Sequence, residues 1–126
     1  LVFAFLRFLT TFNPLISSIL VGSICFFWHL PLVFIEGAPQ AQLPIIWYFI
    51  NIIALSIILT FLKFIVNNRN IIPTVILHGG VNISQNYFNI NGVKAYYLFT
   101  LVNILFVMVL LIKDRKIWFK KNLQVR

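Results

Sequence analysis

Three side chains could do chemistry together in this sequence: the imidazoles of His29 and His78, the only two histidines, and the carboxamide of Asn82. His78 and Asn82 are four residues apart, which on a helix means about 6 Å along the axis and about 40° around it. Both can then face one bound water or one metal ion. Continued in helical register, Thr74, His78, Asn82, Gln85, Asn86 and Asn89 share one stripe roughly 120° wide. Val75, Ile76, Val81 and Ile83 occupy the opposite face, and Gly79 and Gly80 remove bulk beside the imidazole. Such a helix must turn its amide-lined stripe toward other helices or a wet cavity, and that cavity is the expected working site.

His29 closes a second face. Ser18, Gly22, Cys25 and His29 follow one another at spacings of four, three and four, a row of small residues that lets a neighbouring helix come close. Hydrolysis also needs a base to activate water, for which a carboxylate is the usual partner. Only Glu36 and Asp114 are acidic. Asp114 lies among lysines, where it reads as a solvated charge. Glu36 follows His29 by seven residues, but Pro31 and Gly37 interrupt any helix that would align the two.

The elements that must carry these residues are apolar spans. Of 126 residues 61% are hydrophobic and only 10% charged, against about 25% charged in soluble domains, which places the chain in a bilayer. The expected fold is all-α, a polytopic bundle of about four transmembrane helices plus a short N-terminal helix, as one domain over residues 1–126. Helices are predicted from about Pro14 to Leu30 or Phe34, Pro44 to Val66, Pro73 to Phe88 and Lys94 to Ile112. Residues 113–126 form a basic tail that is helical or disordered. Asn51 and Ser56 read as hydrogen-bond formers between helices. With four spans, nine of the ten basic residues fall on one side and only Lys94 on the other, so the bias puts the carboxyl terminus in the cytoplasm. The net charge of +8 is therefore read as topology and contact with membrane lipid, not as nucleic-acid binding. The single Cys25 excludes an internal disulfide.

One geometric demand follows. His29 comes about fifteen residues after its helix start and His78 about five, an offset of roughly 15 Å if both helices began level. They meet only if one helix starts well outside or well inside the other's level.

These motifs resemble the CAAX-type intramembrane endopeptidases, the CAAX prenyl protease and bacteriocin-processing family (CPBP, or Abi). That family shows Glu-Glu-x-x-x-Arg, then Phe-x-x-x-His on the next helix, then His-x-x-x-Asn or His-x-x-x-Asp two helices later. His29 in Phe26-Phe27-Trp28-His29-Leu30-Pro31 looks like the second motif, and His78 with Asn82 like the third. Two departures stand out: Cys25 occupies the position four before His29, with Phe26 beside it, and no Glu-Glu pair exists. Since Leu1 is not Met and the chain opens within an apolar run, it is expected to be a carboxyl-terminal fragment, inactive alone, with the glutamates upstream of Leu1.

The resemblance implies an intramembrane protease in which a glutamate activates water while His29, His78 and Asn82 position it and stabilise the oxyanion. Thr74, Gln85 and Asn86 form the supporting polar stripe. A divalent metal, if any, would sit on His29 and His78. The implied partners are a peptide or membrane-protein substrate and membrane lipid, the implied location a bacterial cell membrane. Two other readings stay open: a non-catalytic membrane protein, such as a bacteriocin-immunity or partner-binding subunit, and a haem module with His29 and His78 as axial ligands.

Overall fold

The computed structural model describes Arg7 and residues 11–62 and 72–120, without the side chains of Thr74 and residues 85–91. In chain order it contains α1 (Pro14–Val33), a 3-10 turn (Pro39–Gln42), α2 (Ile45–Thr60), α3 (Ile72–Asn91), α4 (Val93–Lys113) and the short α5 (Arg115–Trp118). Every regular element among the described residues is helical, as the spacing of apolar residues predicts. The loop Asn67–Asn70 and most of the N-terminal segment lie outside the described residues.

Helix α1 starts where Asn13-Pro14 predicts. The Asn13 side chain accepts the Ile16 amide at 2.9 Å, and Pro14 occupies the first turn, where its missing N–H costs nothing. The helix runs through Pro31, beyond the first predicted end, because a proline so near the carboxyl end forfeits only one helical bond. Helix α3 extends three residues past its predicted end. It is closed by Gly92, whose φ of 90° suits a residue without Cβ, and that one residue joins it to α4.

The row of small residues on α1 is the tightest contact in the bundle. A Cβ placed on Gly22 would lie 3.0 Å from Ile53 Cδ1, 3.1 Å from Ser56 Cβ and 3.3 Å from Ile53 Cα, so α1 and α2 meet backbone to backbone. Polar bonds lock the same seam. Ser56 Oγ donates to the Ser18 carbonyl at 2.8 Å. Ser18 Oγ donates to Thr60 Oγ1 at 2.8 Å, and Thr60 in turn donates to the Ser56 carbonyl. Asn51, fully buried, accepts from Asn103 Nδ2 at 2.9 Å and so ties α2 to α4. Asn51 and Ser56 thus do what their types predicted.

Two clusters make the core. Ala54, Ile57, Ile58, Val107, Leu110 and Trp118 fill one end; Phe26, Leu43, Tyr48, Ile52 and Tyr96 fill the other. Phe26 packs against Phe49 at 4.9 Å and Tyr48 at 5.9 Å between ring centres, supplying an aromatic anchor one place along from Cys25.

The exterior is apolar. Helices α1 and α4 are long and apolar enough to cross a membrane, α2 is a shorter apolar helix, and only 22% of the apolar windows of α1 and α4 is buried inside the bundle. A helix of a soluble core would be mostly buried. Here Trp28, Leu98, Leu105 and Ile112 face outward, the pattern of helices solvated by lipid.

Candidate functional site

His29 sits one turn before the end of α1 and is half-buried. The pairing of helices fixes its level. Ser18 meets Thr60, Gly22 meets Ile53 and Ser56, and Phe26 meets Tyr48 and Phe49, so α1 and α2 run antiparallel and His29 lies level with the first turn of α2. Asn51 with Asn103 and Trp47 with Tyr97 show that α4 runs parallel to α2.

Helix α3 packs on α4, on α2 and on the 3-10 turn that follows α1. Leu77, the neighbour of His78, packs against the cluster of Ala54, Ile57 and Val107, whereas Phe26, about one turn before His29, belongs to the cluster of Leu43 and Tyr48.

His78 and Asn82 are both exposed, one turn apart on α3. Around them the helix is open. Val75, Ile76 and Ile83 are 59%, 69% and 74% exposed, and a Cβ on Gly79 or Gly80 would meet nothing within 4 Å. Leu77 is the inward anchor, packed against the core cluster that contains Ala54 and Ile57. The side chains of Thr74, Gln85 and Asn86 lie outside the described ones, so the site on view consists of His29, His78 and Asn82.

On α3 this offers an imidazole and a carboxamide one turn apart that can donate to, or accept from, one small group, with the second imidazole on α1. It lacks a general base: Glu36 is exposed in the turn after α1, and Asp114 caps the opposite end of α4. Two imidazoles can also supply two ligands to a divalent ion. Among the described residues no three His, Cys, Asp or Glu side chains come together for one, so an ion would need Asn82 or a further donor.

Behind the site lies a polar layer that sequence reasoning found only in part. Tyr48 and Tyr96 are buried, and Tyr96 lies against the Asn51 carboxamide and Thr100. Asn103, the partner of Asn51, falls in a segment that reads from sequence as an apolar span. A signal was present: Tyr96, Thr100 and Asn103 recur at spacings of four and three on α4, one face of polar tips in a segment otherwise made of Leu, Val and Phe.

No family model matches the chain, and no solved structure matches it. It is similar to CAAX prenyl protease 2 of Methanococcus maripaludis, with 30% identity over 111 residues, 83% of this chain and 40% of that protein. The chain thus spans less than half the length of the relative it matches.

Proposed function

We propose that this chain belongs to the CAAX-type intramembrane endopeptidases and carries the histidine and asparagine part of their hydrolytic site. The observation that carries the reading is the pairing of His78 with Asn82 one turn apart on α3, after His29 near the end of α1, in the order of the family's motifs. The likeness to a protein named as a CAAX prenyl protease supports it, as does the apolar exterior. The fold implied is a four-span bundle, with α2 and α3 as the second and third spans. The carboxyl terminus is cytoplasmic.

In this mechanism a water attacks the scissile carbonyl carbon while a carboxylate takes its proton. The carbonyl π electrons move to oxygen, and the N–H groups of His29, His78 or Asn82 donate to that oxyanion. When the tetrahedral species collapses, the C–N bond breaks and the proton passes to the departing amine. Such donors contribute to the extent that they are fixed before charge develops. Glu36 and Asp114 are badly placed to be the base, and a glutamate outside residues 1–126 fills that role. The substrate class is a peptide carboxyl-terminal tail, prenylated or membrane-borne, entering beside Gly79 and Gly80.

The test is turnover of a prenylated carboxyl-terminal peptide by the full-length protein in proteoliposomes. Replacing His29, His78 or Asn82 by Ala should lower turnover by roughly 10²- to 10³-fold each, while lipid-facing Ile76→Ala leaves it unchanged. A chelator arm reads metal dependence. Equal turnover in all variants would instead favour a non-catalytic, partner-binding role for the same fold.

A further inference from the structure

The basic end of the bundle is held more firmly than a topology signal requires. After Asp114 the chain turns into α5, and Trp118 is driven into the core with 0% exposure. Its indole N–H donates to the Leu110 carbonyl at 3.2 Å, and its ring stacks on Phe61 with centres 6.5 Å apart. Helix α5 also packs against α1. A tryptophan serving as an interfacial marker would keep its ring at headgroup level; this one is spent on fixing the backbone.

What the anchor fixes is a set of cations. Lys113, Arg115, Lys116 and Lys120 are exposed around it, with Asp114 the one acid nearby. Apolar side chains stand beside them: Ile112 is 74% and Phe119 56% exposed. Charge sufficient to set topology can hang from an unanchored tail. Cations on a pinned backbone, bordered by exposed apolar groups, match a ligand that has a phosphate at one end and acyl chains at the other.

We propose that Lys113, Arg115, Lys116 and Lys120, positioned by buried Trp118, form a docking surface for anionic phospholipid headgroups. The proposal stands apart from the hydrolytic reading and needs only membrane insertion. Protein in neutral detergent is titrated with short-chain phosphatidylglycerol or phosphatidylcholine, and bound lipid is counted by native mass spectrometry. Wild type should retain phosphatidylglycerol at concentrations roughly tenfold below phosphatidylcholine. The surface double variant Arg115→Gln/Lys116→Gln should abolish that roughly tenfold preference, since two cations near the surface together contribute about 25-fold. Trp118→Ala keeps every charge and should lose preference as well. If that variant fails to fold, the double variant decides. Equal binding of the two lipids, an unchanged preference in the double variant, or displacement by millimolar inorganic phosphate alone would overturn the proposal.

Discussion

Gly22 and the pair Gly79-Gly80 are chemically identical residues on apolar helices, yet their surroundings are opposite. At Gly22 three atoms stand within 3.3 Å of where a Cβ would be, one of them backbone; at Gly79 and Gly80 nothing stands within 4 Å. The first glycine lets α1 and α2 close on each other. The other two keep a face of α3 bare beside His78. The molecule thus divides into a seam of α1, α2 and α4, tied by Ser18, Thr60, Ser56, Asn51 and Asn103, and a helix laid against it with its reactive side chains outward. The seam carries stability, and α3 keeps His78 and Asn82 exposed.

The contrast can be broken most forcefully at the seam. Gly22→Val should cost about 3 kcal/mol, the upper range for overpacking, because the neighbours include a main-chain atom that cannot rotate away. Thermal unfolding in detergent reads this as a large drop in midpoint, and an unchanged midpoint would mean that α1 and α2 are not in close contact. Asn103→Ala removes the donor to a buried carboxamide and should cost about 1 kcal/mol, within the range for interhelical polar bonds in membranes. Asn51→Leu together with Asn103→Leu should recover part of that loss, which a double-mutant cycle measures. The smallest stability effect belongs to Gly79→Ala, where a methyl enters open space and helix propensity improves by up to about 1 kcal/mol. Any fall in turnover in that variant therefore reports obstruction of the bare face, and a stability loss would show that α3 is packed there after all.

Much of the scaffold could be read from residue types, because small and hydroxylated side chains on one helical face leave few uses other than close helix packing. Asn13-Pro14 marked the start of α1 for an equally local reason, a cap and a residue that needs no donor. Helix ends at Val33 and Asn91 were less legible, since a proline in a last turn or an asparagine run is tolerated at small cost. The level of His78 relative to His29 depends on where α3 sits along the bundle, and no periodicity within α3 encodes that. Asn103 escaped notice because one carboxamide in a run of Leu, Val and Phe has meaning only beside its partner, and Asn51 lies 52 positions away (103 − 51).

The single-residue joint at Gly92 has a mechanical consequence. With α3 ending at Asn91 and α4 beginning at Val93, α3 has no slack there to slide along α4, but it can swing about that point. His78 lies fourteen residues from the joint (92 − 78), a lever arm of about 21 Å, so a tilt of about 10° carries the imidazole about 4 Å toward or away from α1. The position of the His78 ring is thereby geared to the angle of one helix, and a small rotation at the hairpin becomes a large displacement of that imidazole.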